Sequence, residues 1–290
     1  GRILPAVAAE LGLSAETMVC TGALDQAAGA IGVGNIRPGV FSENTGAALA
    51  VCATVDHPVL DPKKRMPCHY HGIPDTYMAH TFTTGGMVLK WYRDNFCQQE
   101  MNVGVLSGMD AYDILGREAA MVAPGSDGLV MLPHLQGAMA PEANPRAKGV
   151  IYGFTLRHTK AHIARAILEA IACIVKRNIE VVEELGIRVD EIRCLGGGAR
   201  SSIWNQIKAD ITGKPVLTME NEEAACLGAA IIAGAGVGIF TNLSDACSRM
   251  VQVKSKFEPN GRNSAVYAEY FKKYCALYES LTGMFAGESG

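Results

Sequence analysis

The chain has 290 residues, 49% of them hydrophobic and 19% charged, with a formal net charge of −3 at pH 7. This length and composition predict a globular protein with ample core, built as one large domain or two modest ones. The small net charge excludes a general attraction to nucleic acid or to anionic membranes, and no apolar run reaches the roughly 18–20 residues of a membrane helix.

The first half of the sequence predicts short helices interleaved with strands. In chain order the elements are a helix over 4–11 that ends at Gly12, a strand over 18–22, a helix of small residues over 27–32, a hairpin over 40–55 that turns at Asn44-Thr45-Gly46, one or two strands within 67–83, and helices over 85–96 and 110–122. In the helix 85–96, we expect Met87 and Trp91, and less regularly Leu89, on the buried side.

The second half alternates helices and strands after a long irregular segment. Residues 123–148 are rich in Pro, Gly and Asn, and we expect a surface loop that is functional or disordered. The elements that follow are a helix over 160–185 with Gly186 at its C′ position, a strand over 192–195, a helix over 202–212, a strand over 216–219, a helix over 222–234 and a terminal helix over 265–281. Hairpins first and helix–strand units later predict a mixed α/β domain.

Cysteine usage and the amino end bear on the cellular context. Nine cysteines occur without a Cys-x-x-Cys pair, and Cys52, Cys173 and Cys226 stand in apolar segments. We expect reduced thiols in the core and, with no signal-peptide pattern at the start, a cytoplasmic protein. The chain opens on Gly1 rather than Met, which predicts a fragment or a processed product.

A glycine-rich turn is the most informative local pattern. The apolar strand that begins at Ile192 leads into three glycines, 196–198, and a helix begins at Ser202. Glycines at such a turn allow a ligand close to the backbone, and a helix amino end offers free N–H groups to an anion. The pattern therefore predicts a nucleotide or phosphate site, with ordinary turn chemistry as the equal alternative.

Two further positions carry candidate chemistry. Asp25 leaves an apolar stretch and enters a run of small residues, where it is either a general base or the N-cap of the next helix. The turn at Asn44-Thr45-Gly46 offers N–H groups and a hydroxyl to phosphate oxygens, with a plain hairpin turn as the local alternative. Cys68, His69 and His71 lack a matching second ligand pair, so we predict no metal site there.

The sequence has no Walker-type loop and no nucleophile elbow. The glycine-rich turn, Asp25 and the turn at Asn44-Thr45-Gly46 therefore form the one coherent set, which is typical of a cleft-binding ATPase.

The chain resembles the C-terminal domain of the FGGY carbohydrate kinases, most closely the xylulokinase-like branch. Residues 149–154 (Gly-Val-Ile-Tyr-Gly-Phe), followed seven residues later by 162–169 (His-Ile-Ala-Arg-Ala-Ile-Leu-Glu), fit the family's second signature. Residues 22–29 resemble the segment that carries the catalytic aspartate, and 197–201, with 209–211 and 215–216 after them, resemble the adenosine loop.

The resemblance covers nearly the whole chain and implies an actin-like, ribonuclease-H-like ATPase fold, α/β with a mixed sheet flanked by helices. It implies that residues 1–17 end the linker or helix of a missing N-terminal domain, and that residues 18–290 form the C-terminal, nucleotide-binding domain. The implied reaction is ATP-dependent phosphorylation of a sugar or polyol hydroxyl, with a pentulose such as xylulose favoured and Mg²⁺ bridging the phosphates. Most sugar and Mg²⁺ contacts would come from the missing domain.

By the same resemblance, Asp25 is the base that takes the proton of the sugar hydroxyl. The family's phosphate loop matches Thr45 and Gly46, its nucleotide-site lining matches Gly86 and Lys90, and its adenosine contacts match Gly197, Gly198 and Ser202. Two places depart from the family pattern: Asn44 stands where the family has Gly, and residues 136–141 lack a charged pair that many relatives carry.

Two other classes of function stay open at this level. One is a non-catalytic nucleotide-binding module, and the other is an actin-like or chaperone-like ATPase that couples hydrolysis to conformational change. The residues do not name the sugar, and they leave both a monomer and a homodimer open.

Overall fold

The computed structural model describes residues 1–287, which form two sheets. The strands are β1 Gly39–Thr45, β2 Ala48–Val55, β3 Cys68–Tyr70, β4 Tyr77–Thr84, β5 Val130–Pro133, β6 Gly149–Tyr152, β7 Val189–Leu195, β8 Val216–Met219 and β9 Val253–Phe257. The main sheet has the order β3-β4-β2-β1-β7-β8-β9, and β5 pairs with β6 separately. Because β1, β7 and β8 run parallel while β2, β4 and β9 pair antiparallel, the predicted mixed sheet is confirmed.

Helices cover both faces of the main sheet. They are α1 Pro5–Leu11, α2 Asp25–Gly32, α3 Met87–Phe96, α4 Gln98–Ser107, α5 Ala111–Ala120, α6 Lys160–Glu184, α7 Ser202–Thr212, α8 Ala224–Gly236, α9 Leu243–Met250 and α10 Gly261–Gly287. On one face, α6 and α7 bury the largest apolar cluster, in which Phe41 and Leu49 of the sheet meet Ile167 and Ile207. On the other face, Ala27 of α2 packs on Cys52 and Met78, and α8 packs on α2.

Strand alternation assigns each side chain of β1 to one of these faces. Ser42 accepts a hydrogen bond from Asn35, just after α2, whereas Glu43 contacts Lys208 on α7. Asn44 therefore points to the face of α2, and Thr45 points to the face of α6 and α7. The two halves of the candidate site lie on these two faces.

Several sequence predictions are wrong in detail. The strand expected over 18–22 is a single bridge between Arg2 and Met18. The loop 123–148 contains β5, whose four residues are all buried, and α4, α9 and β9 were not predicted. Tertiary contacts decide these short segments, since their own periodicity is weak or, in β5, hidden by neighbouring Pro and Gly residues.

Two local expectations are also corrected. In α3 Leu89 is buried as predicted, but the other buried residues are Val88 and Tyr92 instead of Met87 and Trp91. Trp91 is 39% exposed, so the buried side of the helix is rotated from the predicted one. Glu222 and Glu223 precede α8 instead of forming its first turn.

The thiols largely follow the prediction. None of the nine cysteines, all within residues 1–287, forms a disulfide, and Cys52 and Cys173 are buried as expected. Cys226 is exposed, because it lies on the outer side of α8, away from the buried Leu227 and Gly228. None of the helices within residues 1–287 combines the length and apolar character that a membrane-crossing helix requires.

Candidate nucleotide cleft

A cavity of about 350 Å³ opens where β1 ends, beside the glycine-rich turn after β7. Its walls come from the β1–β2 hairpin, the start of α3, and parts of α5, α6 and α7. Six of the eight residues singled out from the sequence line it: Thr45, Gly46, Gly86, Lys90, Gly197 and Gly198. The fold therefore brings together segments that are more than 150 residues apart in the chain.

The cavity has an apolar wall and a polar rim. The apolar lining comprises Met87, Leu89, Leu115, Ala164, Leu168 and Trp204. The rim carries both signs of charge, from Lys90, Arg200, Asp110 and Asp113. The Lys90 ammonium is paired with Asp94 at 2.5 Å, and the pKa of Asp94 is lowered by Lys90 and Arg93. An apolar slot with few charged groups at its edge suits a flat, partly polar ligand.

The hairpin tip and the start of α3 are held together by backbone contacts. The N–H of Gly86 donates to the carbonyl of Gly46, and the N–H of Met87 donates to that of Ala47, both at 2.9 Å. A Cβ at Gly86 would lie 2.6 Å from the Gly46 oxygen, so only glycine allows this approach. Gly86 thereby fixes where the hairpin tip stands relative to α3.

The three glycines after β7 serve different purposes. Gly196 has a φ of +76°, and a side chain there would overlap Asn44. A Cβ at Gly198 would lie 2.6 Å from the Cβ of Thr45, so this glycine lets the turn pack against the hairpin. Gly197 has no atom within 4 Å of an added Cβ, and it faces the open cavity. Packing alone thus explains Gly196 and Gly198 but leaves Gly197 open to a ligand.

Three backbone N–H groups along the cavity are unpaired. Within residues 1–287, those of Ala47, Gly197 and Gly198 donate no hydrogen bond to any acceptor. Successive free N–H groups at a turn form a concave anion site, because their partial positive charges converge. The hairpin tip and the glycine turn together therefore offer donors for phosphate oxygens.

Beneath this end of the cavity lies a buried ion pair that the sequence analysis missed. The Lys208 ammonium donates to Oε1 of Glu43, and the Thr45 hydroxyl donates to Oε2 of the same carboxylate. Both charged side chains are 0% exposed. The sequence does contain a sign of this pair, because Lys208 lies with Trp204 and Ile211 on the apolar side of α7. A charged residue in such a position needs a buried partner of opposite charge.

Asp25 lies outside the cavity. It is the first residue of α2 rather than its N-cap, which is Leu24, and its exposed carboxylate accepts a hydrogen bond from the N–H of Gln26 at 2.7 Å. Burial lowers the pKa of His80, and the nearby Asp25 carboxylate partly offsets this effect. Because His80 pairs with Cys52, which contacts α2, Asp25 belongs to the α2 face of the sheet, across β1 from the cavity.

Ser202 also lies outside the main cavity. It lines a smaller one of about 90 Å³ on the other side of the glycine turn, together with Asn205 and Thr218. Its neighbour Ser201 lines the main cavity and caps α7 by accepting from the N–H of Trp204. Within residues 1–287, no three His, Cys, Asp or Glu side chains are grouped so as to hold a metal ion.

Comparison with known proteins places this architecture in a class. The fold is similar to that of the xylulose kinase from Rhodospirillum rubrum, with a TM-score of 0.85 and 29% identity over 99% of this chain and 56% of that one. A ligand-bound xylulose kinase from Lactobacillus acidophilus gives a TM-score of 0.87 at 26% identity over 100% of this chain and 57% of that one. The actin-like ATPase fold implied by the sequence resemblance is confirmed.

Residues 45–237 match the model of the FGGY family of carbohydrate kinases, C-terminal domain, and the chain belongs to this family. It is 31% identical over 287 residues to a xylulose kinase of Staphylococcus epidermidis, covering 99% of this chain and 56% of that protein. It is 34% identical over 248 residues to a gluconokinase of Bacillus subtilis, covering 85% and 48%. The chain thus spans about half the length of the curated relatives it matches.

Proposed function

We propose that this chain is the nucleotide-binding part of an ATP-dependent kinase acting on a sugar or polyol hydroxyl. The observation that carries the proposal is the cavity itself, with an apolar slot at one end and the unpaired N–H groups of Ala47, Gly197 and Gly198 at the other. Such a cavity fits an adenosine with its phosphates, and membership of a carbohydrate kinase family supports the same reaction class.

In this proposal the nucleotide phosphates and the general base, Asp25, lie on opposite sides of the β1–β2 hairpin tip. The apolar wall around Leu168 and Trp204 holds the adenine ring, and the N–H groups of the hairpin and the glycine turn bind phosphate oxygens. ATP supplies the phosphoryl group. Asp25, on the α2 face, accepts the proton of the acceptor hydroxyl. Positioning and charge stabilisation of this kind account for most of the catalysis of phosphoryl transfer.

For the metal and the acceptor we propose the chemical class alone: Mg²⁺ bound to the phosphates, and the hydroxyl of a sugar or polyol. Mg²⁺ would arrive with the phosphates, and we propose no residue among 1–287 as a direct ligand of the metal. The relatives are named xylulose kinase, gluconokinase and autoinducer-2 kinase. Because these names differ in the acceptor, they support a sugar or polyol hydroxyl more strongly than xylulose itself. A missing N-terminal domain that completes the sugar site is part of the proposal, since the relatives are about twice as long.

Calorimetric titration of the 290-residue chain with Mg-ADP tests the nucleotide site. We expect saturable binding to one site, and at least tenfold weaker binding in Gly197→Val, because the new side chain enters the cavity. The fold should survive this change, since an added Cβ meets no atom within 4 Å.

The matched control is Gly261→Val, which also introduces a side chain into open space but does not line the cavity. It should bind as the unaltered chain does. An unaltered chain that fails to bind Mg-ADP, or a Gly197→Val variant with unchanged affinity, would contradict the proposed site.

A further inference from the structure

A complete ion pair lies in the core directly below the phosphate end of the cavity. Glu43 comes from β1 and Lys208 from α7, and both are fully buried. The Lys208 nitrogen lies 3.5 Å from the Thr45 hydroxyl oxygen and 5.0 Å from the centre of the Trp204 ring. Since Thr45 and Trp204 both line the cavity, the pair contacts residues that a ligand in the cavity would touch.

Stability does not account for charges at this place. Removing two charges from water costs more than a buried pair commonly regains, and apolar residues of similar volume serve a core equally well. Burial lowers the pKa of Lys208, but its anionic surroundings outweigh this and raise the pKa above its ordinary value. Burial keeps the neighbouring Cys194 thiol protonated by raising its pKa, so Glu43 is the anion that holds the charge of Lys208.

The pair has a specific effect on Thr45. A threonine hydroxyl has one proton, and here it is donated to Glu43. The oxygen also accepts from the Lys208 ammonium at 3.5 Å, so it can offer the cavity one remaining lone pair and no proton. The neighbouring N–H groups of Ala47, Gly197 and Gly198 are donors. The hydroxyl cannot rotate to donate to a phosphate oxygen without giving up a charge-assisted bond, which is roughly twice as strong as a neutral one.

We propose that Glu43 and Lys208 are positioning residues that lock the Thr45 hydroxyl as an acceptor at the phosphate end of the cavity. Lys208 holds the carboxylate in place, and the carboxylate holds the hydroxyl proton. The site then distinguishes its ligand's parts: N–H groups meet phosphate oxygens, and the Thr45 oxygen meets the hydrated cation that accompanies them. This inference rests on the proposed nucleotide function and adds residues to it that do not touch the ligand.

The test replaces the pair with near-isosteric apolar residues, Glu43→Met with Lys208→Met. Affinities for adenosine and for the magnesium complex of a non-hydrolysable ATP analogue are measured by calorimetry, and folding is measured by thermal melting. We expect a melting temperature close to that of the unaltered chain, unchanged adenosine affinity, and at least tenfold weaker binding of the analogue. A variant that melts normally and binds the analogue equally well would overturn the proposal.

Thr45→Val supplies the second arm, because it removes the hydroxyl but keeps the shape. It should weaken binding of the analogue as much as the double replacement does. Combining all three changes should lower the affinity no further, since the pair acts through that hydroxyl. Thr45→Ser keeps the hydroxyl and should bind normally. If the methionine variant does not fold, normal binding by Thr45→Val is sufficient to overturn the proposal.

A control away from the cavity is the partly buried ion pair between Glu142 and Arg177, whose atoms are 3.1 Å apart and which does not line the cavity. Replacing both by Met should leave both affinities unchanged. The outcomes also separate this inference from the proposed function. An unaltered chain that binds neither adenosine nor the analogue refutes the function, whereas normal binding in the variants refutes only the role of the pair.

Discussion

Asp25 occupies the first helical position of α2, where unpaired N–H groups and the helix dipole stabilise a negative charge. Its carboxylate is exposed, and within residues 1–287 its hydrogen bonds come from the adjacent Gln26 alone, so the carboxylate is open to solvent and to a substrate hydroxyl. It is separated from the candidate nucleotide cavity by β1. A role in accepting a proton and a role in binding nucleotide can therefore be tested independently.

Replacing Asp25 by Asn in the intact enzyme should lower turnover by about 10²–10⁴-fold, the usual contribution of a general base. Nucleotide affinity should stay within about twofold, because Asp25 does not line the cavity. Steady-state kinetics and Mg-ADP titration check the two parts. Asp56→Asn, at another exposed carboxylate, serves as the control. Near-normal turnover in Asp25→Asn would refute the assignment of Asp25 as the base.

Two buried histidines couple the fold to pH. Burial lowers the pKa of both His71 and His134 from 6.5 to about 4. The His71 ring accepts from the N–H of Gly72 through Nδ1 and donates through Nε2 to the carbonyl of Asn35, so a second proton would break the first bond. His134 has no hydrogen-bond partner within residues 1–287. Both rings are therefore neutral in the folded state.

The unfolded chain binds protons at these rings near pH 6.5, whereas the folded chain binds them only near pH 4. Stability is therefore full above about pH 6.5 and falls as the pH drops toward 4. For one such ring the loss between pH 6.5 and 5 is about 1.5 kcal/mol. We expect His134→Leu to remove about that much of the pH dependence of the free energy of unfolding, measured in urea at both pH values. An equal slope in the variant would contradict the neutral assignment.

At the scale of elements, α2 and α8 cross in unusually close contact. A Cβ at Gly32 would overlap the carbonyl of Ala224, and one at Gly228 would overlap the carbonyl of Ala28. The two glycines let the helix backbones touch, which fixes the position of α2 over the sheet. Because Asp25 begins α2, this crossing also fixes where the proposed base stands.

Gly228→Ala should destabilise the fold by about 1–3 kcal/mol, the usual cost of overpacking, or more because the obstacle is backbone. Urea unfolding measures the change, and turnover of the intact enzyme should fall as α2 is displaced. Gly283→Ala is the matched control in the interior of α10, where the new Cβ meets no atom within 4 Å. It should raise the free energy of unfolding by about 0.5–1 kcal/mol, since alanine favours a helix. Equal effects of the two changes would show that the crossing tolerates a methyl group.

At the scale of the whole molecule, the central sheet lies between the proposed nucleotide site and the proposed base. The candidate cavity lies on the face covered by α6 and α7, and Asp25 lies on the face covered by α2. The β1–β2 hairpin separates the two places, because alternate residues of β1 point to opposite faces of the sheet. Asn44 faces Gly196 beside α2, and Thr45 faces Gly198 beside the cavity.

Ligand binding to such a cavity should stabilise the chain as a whole. At a Mg-ADP concentration 100 times the dissociation constant, the expected gain in free energy of unfolding is about 2.7 kcal/mol. For a chain of this size that corresponds to a rise of roughly 5 °C in melting temperature. Magnesium chloride alone is the control and should have no such effect. An unchanged melting temperature at saturating Mg-ADP would mean that the folded state has no nucleotide site.

The sequence by itself determined the elements with strong periodicity and the turns that require special residues. The long helix α6, the β1–β2 hairpin and the turn at Gly197 and Gly198 follow the prediction, because apolar spacing and glycine chemistry act over a few residues. The hairpin turns at Gly46-Ala47 instead of Asn44-Thr45-Gly46, since Asn44 and Thr45 are paired within β1. Extended motifs indicated the family, which the comparisons confirm. Asp25 as the base stays a prediction.

Only the tertiary structure decided which of these residues share a cavity and which charges meet. Lys208 and Glu43 pair across 165 residues of chain. Ser202 lines a separate cavity, and Asp25 lies on the opposite side of β1 from the candidate nucleotide cavity. A local pattern specifies the period and the turn, but the partner of a buried charge and the buried side of a helix depend on what packs against them. These contacts are made by residues far apart in the chain, so no short window of sequence contains them.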